Sequence, residues 1–217
     1  METQNTLPLI GDMAPAFQAQ STAWPINFPK DYKGKRVVLF SHPADFTPVC
    51  TTEFIGFQKA YEDFKAINTE LLWYSVDGLQ WHIEWLRNIE RNFGVKVEFP
   101  LLAGSKIAHL YGMLHPNADD STTVRAVFVI NPEGQIAAIM YYPLSNGRSV
   151  AEILRLVKAL QTTAKHKRAT PENRPNNPIF GDKVIVPPAA TMKDAVTNAQ
   201  KYENKDWYIC VEQNPNK

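Results

Sequence analysis

The residue of this chain with the most chemical potential is Cys50, in the run Thr47-Pro48-Val49-Cys50. The apolar residues 37–40 before it predict a buried strand. The residues after it predict a helix over residues 48–66 with one apolar face, made of Phe54, Phe57, Tyr61 and Phe64. Cys50 would then lie in the first turn of that helix, where unpaired N–H groups and the helix dipole favour a thiolate. The alternative is a small, buried and unreactive side chain, a common fate of a free cysteine.

Thr47 stands three residues before Cys50, so its hydroxyl can reach the same point as the thiolate. A Thr-x-x-Cys run cannot close a local disulfide, so a reactive Cys50 must attack another group, which the hydroxyl could orient. The chain has only 2 cysteines and 5 histidines, and no histidine pair is spaced as metal ligands near either cysteine. The sequence therefore predicts neither a zinc site nor a disulfide-stapled scaffold.

The composition is that of a globular protein. Of the 217 residues, 44% are hydrophobic and 21% are charged, which excludes a disordered or fibrous chain. The 23 Lys and Arg residues are balanced by 22 Asp and Glu residues, so we expect no nucleic-acid partner. No apolar run reaches the roughly 18 residues of a membrane span, and residues 1–30 lack the features of a signal peptide. We therefore expect a cytoplasmic protein without a membrane partner.

The elements around Cys50 predict an α/β fold. A strand over residues 71–76 is followed by a helix that ends near Gly94 and has an apolar stripe made of Leu79, Ile83, Leu86, Ile89 and Phe93. Strands over 124–130 and 135–141 are joined by a turn short enough to force an antiparallel hairpin. A last long helix begins near Ser149. This order, a parallel strand–helix–strand unit followed by a hairpin and a helix, is typical of a thioredoxin-like fold.

The composition changes after the last long helix. Five prolines fall within residues 170–188, and two apolar patches, residues 184–186 and 207–210, need burial. We predict a thioredoxin-like domain over residues 1–167 and a C-terminal arm over 168–217. The arm is expected to pack on a partner subunit rather than on its own core.

The run around Cys50 resembles the Pro-x-x-x-Thr-x-x-Cys signature of the peroxiredoxins, matched by Pro43, Thr47 and Cys50. With Ser41-His42-Pro43 and the long arm, it is similar to the one-Cys, archaeal-type branch of that family. Further matches extend almost to the C-terminus: Thr123-Val124-Arg125-Ala126-Val127-Phe128, Tyr141-Tyr142-Pro143, Gly147-Arg148, Pro175-Asn176-Asn177, Val186-Pro187-Pro188 and Asp206-Trp207.

The resemblance implies a thiol peroxidase that reduces hydrogen peroxide and alkyl hydroperoxides. The Cys50 thiolate would attack the distal peroxide oxygen and become a sulfenic acid. Thr47 and the Cys50 backbone N–H would donate hydrogen bonds to the leaving oxygen, and Pro43 would shield the sulfenate from water. Arg125 would hold the thiolate and polarise the peroxide; the alternative is a solvated arginine on a strand. No metal, haem or flavin is implied.

Three further residues are implied around this site. Arg148 resembles the second arginine of the branch, which orients the first, although a surface salt bridge is an open alternative. Glu53 resembles the family's glutamate that anchors an arginine. His42 could bind peroxide or steer its proton, or could simply be hydrogen-bonded at the end of a strand.

Cys210 is the ambiguous residue. In the branch, a cysteine just after the Asp-Trp pair can attack the sulfenic acid of the partner subunit, which would make Cys210 a resolving cysteine that closes an intersubunit disulfide with Cys50. The alternative is a buried structural cysteine, with Cys50 reduced by an external thiol. The resemblance also implies a homodimer, a decamer of five dimers as a larger assembly, and a thiol donor such as thioredoxin or a glutaredoxin-type protein.

Two rival functions follow from the same residues. A redox-gated sensor or chaperone-like oligomer would use Cys50 without turnover. A disulfide reductase would need a Cys-x-x-Cys motif, which the chain lacks. One departure is also informative. Some animal members of the branch resemble lipases through a Gly-Asp-Ser-Trp-Gly stretch, but this chain reads Lys33-Gly34-Lys35-Arg36-Val37 there. We therefore expect no phospholipase activity.

Overall fold

The structure, a computed structural model, describes residues 7–119 and 121–216. The predicted domains begin at residue 1 and end at residue 217, and both of these residues lie outside the described ones. The same holds for residues 1–6 of the segment in which we expect no signal peptide. The chain divides into two compact units, Met1–Val150 and Ala151–Lys217. The boundary after residue 167, between a thioredoxin-like domain and a C-terminal arm, stays a prediction. Among the described residues, no helix is both long enough and apolar enough to cross a membrane.

The first unit contains seven strands and four α-helices in the described residues. The strands, β1 to β7, are Phe17–Ala19, Ile26–Phe28, Arg36–Ser41, Thr69–Tyr74, Leu101–Leu102, Arg125–Ile130 and Ile136–Tyr142. The helices, α1 to α4, are Pro48–Lys59, Tyr61–Ala66, Leu79–Phe93 and Lys106–Leu110. A short 3-10 helix, Lys30–Tyr32, follows β2.

The central sheet has the strand order β5-β4-β3-β6-β7. Strand β3 pairs parallel with β4 and antiparallel with β6, while β6 and β7 form the predicted hairpin. All six residues of β3 are buried, as expected for an apolar run at the middle of a sheet. This mixed sheet, with its parallel crossover and its antiparallel hairpin, confirms the predicted thioredoxin-like α/β fold.

The end of β3 is tied to β6 by a side chain. The hydroxyl of Ser41 donates to the carbonyl of Val124 at 2.5 Å, and the N–H of Ala126 donates to that hydroxyl at 3.0 Å. These bonds continue the contact between β3 and β6 beyond their last paired residues. As a result, the loop that leaves β3 toward Cys50 begins beside Arg125, the first residue of β6.

The prediction of one helix over residues 48–66 was wrong, because α1 and α2 are separate helices that meet at Ala60. Ala60 leaves the helical region, with φ −97° and ψ 3°. Phe57 of α1 and Phe64 of α2 are both fully buried, with their ring centroids 6.2 Å apart. Local spacing alone does not reveal such a break.

The predicted apolar face of α3 was also partly wrong. Gly94 ends the helix with φ +65°, as the sequence indicates. However, Ile83 and Phe93 are exposed, and the buried residues are His82, Trp85 and Ile89. The sequence pattern counted only apolar residues, so it missed a histidine that faces the interior.

The second unit begins within helix α5, Val150–His166, whose first residue belongs to the first unit. It also contains the segment that follows this helix. That segment forms β8, Val184–Ile185, helix α6, Met192–Lys201, and strands β9, Glu203–Asp206, and β10, Ile209–Glu212. The three strands make an antiparallel sheet in the order β8-β10-β9. Cys210 therefore lies on the central strand of this small sheet.

Candidate active site

Cys50 lies in the first turn of α1 and is fully buried. The helix begins there because Thr47, with extended backbone angles, is its N-cap and Pro48 its first helical residue. Backbone N–H groups in a first turn have no acceptor within the helix and attract negative charge. Nη1 of Arg125 donates to the Cys50 sulfur at 3.2 Å. The N-terminus of a helix and a guanidinium group therefore both lie beside this sulfur, and both favour negative charge there.

Glu53 joins the two arginines of the site. Its Oε2 accepts from Arg125 Nη1 at 2.9 Å and from Arg148 Nη2 at 2.7 Å, while its Oε1 accepts from Arg148 Nε at 2.9 Å. The backbone N–H of Arg148 also donates to Oε1, at 2.7 Å. The three side chains are at most 2% exposed. A solvated Arg125 and a surface salt bridge at Arg148 are both incompatible with this geometry.

The remaining donors of the two arginines are used to fix their planes. Nε and Nη2 of Arg125 both donate to the carbonyl of Leu144, at 3.0 and 2.7 Å. Nη1 of Arg148 donates to the carbonyls of Ser41 and Ala126, each at 2.9 Å. The Arg148 guanidinium also lies 5.3 Å from the ring centroid of Phe40 and 5.0 Å from that of Trp73.

The charges of this buried group balance only when Cys50 is ionised. Burial by itself would raise the pKa of Glu53, but the hydrogen bonds and charge of Arg148, together with Arg125, hold it below the ordinary value of 4.5. Glu53 is therefore a carboxylate beside two guanidinium groups. With a thiol at Cys50 the four side chains carry one uncompensated positive charge, and with a thiolate they carry none. Because an uncompensated buried charge is costly, the group has a place for one further negative charge beside the two guanidinium groups.

The hydroxyl of Thr47 is oriented by the loop itself. Its Oγ1 donates to the carbonyl of Ala44 at 2.9 Å, and the Thr47 carbonyl accepts from the hydroxyl of Thr51 at 2.8 Å. Because its hydrogen points to Ala44, Oγ1 offers its lone pairs to a substrate. In this geometry the hydroxyl hydrogen of Thr47 is already donated within the loop, whereas the sequence suggested that it would be donated to the leaving oxygen. Pro43 is buried directly after His42, at the start of the same loop.

His42 belongs to a second buried group, which centres on Asp45. The Oδ1 atom of Asp45 lies 2.9 Å from Nε2 of His42, and its Oδ2 atom lies 2.6 Å from Nδ1 of His82. Burial would raise the pKa of Asp45, but its bonds to both histidines lower it overall. Burial lowers the pKa of His42, although Asp45 opposes that shift. His42 is thus neutral at pH 7 and donates from Nε2 to a carboxylate.

The unprotonated Nδ1 atom of His42 is buried and has no hydrogen-bond partner among the described residues. A buried acceptor without a donor is unusual in a folded protein. His42 is therefore hydrogen-bonded at the end of β3, as one interpretation of the sequence holds, and it also keeps one ring nitrogen available.

One group of side chains in the described residues could approach a metal ion. His42, Asp45 and Asp77 each offer an atom within 4.8 Å of the others. Asp77 Oδ2 accepts from the N–H of Asp45 at 3.0 Å and from the hydroxyl of Ser75 at 2.8 Å. Together with the bonds of Asp45 to the two histidines, these hydrogen bonds engage most polar atoms of the group, while Nδ1 of His42 has no partner among the described residues.

The structure thus brings together most of the residues singled out from the sequence. Cys50, Arg125, Glu53 and Arg148 form one connected group, and Thr47 lies next to the same first turn. Cys210 belongs to the second unit, where it is 3% exposed and its sulfur lies 3.6 Å from the carbonyl of Trp207. Sequence reasoning missed the roles of Asp45 and His82; a histidine on the inner side of an otherwise apolar helix was the available signal.

Two family models match this chain. The model of the AhpC/TSA family matches residues 10–139, and that of the C-terminal domain of 1-Cys peroxiredoxin matches residues 159–205. A peroxiredoxin of Ignicoccus hospitalis is 53% identical over 211 residues, covering 96% of this chain and 90% of that protein. A peroxiredoxin of Aquifex aeolicus is 50% identical over 214 residues, covering 94% of this chain and 96% of the relative.

Solved structures agree with this similarity. A yeast mitochondrial 1-Cys peroxiredoxin, studied for thiol resolving via glutathione/thioredoxin systems, has a TM-score of 0.82 at 36% identity and covers 94% of this chain and 99% of its own. A cysteine-to-serine mutant of peroxiredoxin 6 from Arenicola marina has a TM-score of 0.84 at 33% identity, with coverage of 96% and 99%.

Proposed function

This chain belongs to the peroxiredoxin family, and we propose that Cys50 is the thiolate through which it reduces peroxides. The family members are thiol peroxidases, and this protein is a peroxidase enzyme. The observation that carries the assignment is the 3.2 Å contact between Arg125 Nη1 and the Cys50 sulfur, within a buried group whose charges balance only with a thiolate.

The proposed reaction is a two-electron transfer from sulfur to oxygen. The Cys50 thiolate attacks the distal oxygen of the peroxide, a new S–O bond forms, and the O–O bond breaks. Sulfur becomes a sulfenic acid, and the leaving oxygen departs as water or an alcohol after taking up a proton. Arg125 stabilises the thiolate, Thr47 Oγ1 accepts from the peroxide O–H, and the Cys50 N–H donates toward the developing charge. Pro43 limits the access of water.

The return to the thiol requires a second thiol. We assign Cys210 as the resolving cysteine, which would attack the sulfenic acid of the partner subunit's Cys50 and release water as the disulfide forms. Its burial on the central strand β10 means that this strand must open before Cys210 can react. A thioredoxin or glutaredoxin-type protein would then reduce the disulfide. The alternative, direct reduction of the sulfenic acid by an external thiol, leaves Cys210 structural.

Self-association is the second part of the proposal. Several large apolar side chains of the second unit are exposed in the single chain: Ile179, Met192, Val196, Trp207 and Tyr208. Large exposed apolar side chains are typical of a surface that another subunit covers. We propose a homodimer built through residues 168–217, with a decamer of five dimers as the larger assembly. The low cysteine content supports a cytoplasmic location.

The central test measures peroxide consumption with excess dithiothreitol by wild-type protein, Cys50→Ser and Cys210→Ser. Catalytic turnover that is abolished in Cys50→Ser supports the assignment. Consumption of about one equivalent per subunit would instead indicate a sensor. Turnover that survives in Cys50→Ser would contradict the assignment of Cys50.

The role of Cys210 needs a separate measurement, the intact mass of the protein after one equivalent of hydrogen peroxide and without reductant. A disulfide-linked dimer that is absent in Cys210→Ser supports resolution by Cys210. A monomer with one added oxygen in the wild type would show that an outside thiol reduces Cys50.

A further inference from the structure

Helix α3 contacts the loop that precedes Cys50 through three residues, Trp81, His82 and Trp85. This loop, residues 42–47, runs from the end of β3 to the N-cap of α1. The hydrogen bond to the Cys50 sulfur comes from β6 and not from α3. The contacts of α3 are instead with Asp45 and Phe46, which the proposed reaction leaves without a role.

His82 is fully buried and has an acceptor at each ring nitrogen. Its Nδ1 lies 2.6 Å from the Asp45 carboxylate, and its Nε2 lies 3.2 Å from the carbonyl of Leu102. A carboxylate oxygen can only accept, so Nδ1 of His82 donates to Asp45. His82 thus links α3 to both the loop and β5.

Asp45 is held from three directions. Besides His82, it accepts from Nε2 of His42 at the end of β3, and its backbone N–H donates to Asp77 Oδ2 in the segment after β4. A buried polar group that loses its hydrogen-bond partner costs free energy, so these three hydrogen bonds favour the observed position of the loop. The middle of the loop therefore has little freedom to move while these bonds are intact.

Phe46, the next residue, adopts φ +56°. A bulky side chain in the left-handed region is strained and persists only when its surroundings impose that conformation. Its ring centroid lies 6.1 Å from that of Trp81, edge to face, and 6.4 Å from that of Trp85. This turn directs Asp45 inward and delivers Thr47 to the N-cap of α1, three residues before Cys50.

We propose that His82, together with Asp45 and Phe46, is a positioning element for the peroxidase reaction: α3 locks the loop so that Thr47 and Cys50 meet the peroxide in line. The proposal rests on the assignment of Cys50 as the peroxidatic thiol. Attack on a peroxide needs the sulfur, the Thr47 oxygen and Arg125 at fixed mutual positions. Alkylation of the same thiolate by a small reagent needs only the thiolate and access to it.

The two histidine replacements separate the contacts of the ring. The amide nitrogen of Gln can overlie Nε2, so His82→Gln places a donor beside the Leu102 carbonyl and loses the donor to Asp45. The amide nitrogen of Asn can overlie Nδ1, so His82→Asn keeps the donor to Asp45. His109, an exposed histidine of α4, provides the matched control as His109→Gln.

The experiment measures two rates on reduced full-length protein. One is the second-order rate constant with hydrogen peroxide, and the other is alkylation of Cys50 by iodoacetamide, followed by peptide mass. We expect His82→Gln to lower the peroxide rate constant by about tenfold or more while the alkylation rate stays within about twofold of wild type. His82→Asn should retain most of the peroxide rate, and His109→Gln should match wild type in both rates.

Two results would overturn the proposal: a wild-type peroxide rate in His82→Gln, or an equal fall of both rates, since the latter would mean that His82 acts on the thiolate or on the fold. If the melting curve shows that His82→Gln does not fold, His82→Asn becomes the deciding variant. Because it keeps the donor to Asp45, a peroxide rate constant as low as that of a free thiol would contradict the importance of the Asp45 contact.

Cys50→Ser is measured in parallel. If Cys50→Ser still reduces peroxide, the proposed function itself is overturned. If Cys50→Ser loses peroxide reduction while His82→Gln keeps the wild-type rate, only the inference about α3 is overturned.

Discussion

At the scale of single residues, Glu53 is the carboxylate that compensates the buried positive charges of Arg125 and Arg148. It is the only carboxylate in contact with Arg125 and Arg148 among the described residues, and all three side chains are buried. Burying two guanidinium groups beside one carboxylate leaves a place for one more negative charge. The same residue therefore stabilises the fold and holds Arg125 beside the Cys50 sulfur.

We predict that Glu53→Gln destabilises the protein by about 3–5 kcal/mol, since removing one partner leaves buried charges uncompensated. The peroxide rate constant should fall as well, because Arg125 loses the acceptor that fixes its plane. Chemical denaturation and stopped-flow kinetics would measure the two effects. The exposed Glu62→Gln serves as a control, and a loss of stability no larger than in that variant would contradict the role given to Glu53.

The same carboxyl predicts a dependence of stability on pH. The pKa of Glu53 is lower in the folded protein than its ordinary value of 4.5. Its stabilising contribution is therefore complete above pH 4.5 and is lost as the pH falls through the lower, folded-state value. We expect the difference in unfolding free energy between wild type and Glu53→Gln to be constant from about pH 7 to 5.5 and to shrink below about pH 4.5. A difference that grows on acidification would contradict this sign.

At the scale of elements, the turn from β3 into α1 combines a buried, hydrogen-bonded aspartate with a strained residue. The apolar residues of β3 bury that strand, Pro48 starts α1, and residues 42–47 between them must form a tight connection. Phe46 takes the left-handed conformation within it and remains 45% exposed. Its conformation is therefore imposed by the neighbours of the loop and by α3 rather than by its own burial.

This strain predicts an order of stability between two variants. Phe46→Ala keeps a Cβ atom at φ > 0 and loses the contacts of the ring, whereas Phe46→Gly loses the ring but accepts that conformation without strain. We expect Phe46→Gly to be more stable than Phe46→Ala by about 1 kcal/mol, the reverse of the order in a helix or strand. Thermal unfolding measures the difference. An alanine variant that is the more stable of the two would show that Phe46 is not strained.

At the scale of the whole molecule, the two units divide the work of the proposed cycle. The first holds Cys50 and the side chains that bond to it, while the second carries Cys210 and the exposed apolar residues of α6 and the β9–β10 turn. A peroxidase that resolves through Cys210 thus depends on assembly, because the attack of one subunit on its partner requires a dimer.

We predict that Val196→Asp on α6 weakens self-association, because Val196 is 53% exposed in the single chain and a buried carboxylate would oppose its coverage by a partner. Sedimentation velocity would show a shift toward the monomer. The disulfide-linked dimer should decrease after oxidation, while the first reaction of Cys50 with peroxide keeps its rate. Thr197→Asp, on a polar position of the same helix, is the control, and an equal effect in both variants would contradict a specific role for Val196.

The local pattern of residues was sufficient to predict the elements that carry Cys50. A run of apolar residues forms a central strand and a proline favours a helix start, so β3 and the beginning of α1 depend on neighbours in sequence. The hairpin of β6 and β7 was predictable for the same reason. The break at Ala60 and the burial of His82 were not, because both depend on what α1, α2 and α3 pack against.

Contacts between distant residues depend on the tertiary structure. Glu53 meets Arg125 and Arg148 across 72 and 95 residues of chain, so their charges could be summed only after the sheet had brought them together. The resemblance to a family named these side chains but not their burial, which gives the site its charge balance. The position of His82 on its helix was a local signal for an inward-facing histidine, but its pairing with Asp45 across 37 residues was not visible in the local sequence. Sequence thus determined that Cys50 lies in the first turn of α1, and only packing decided which charges surround it.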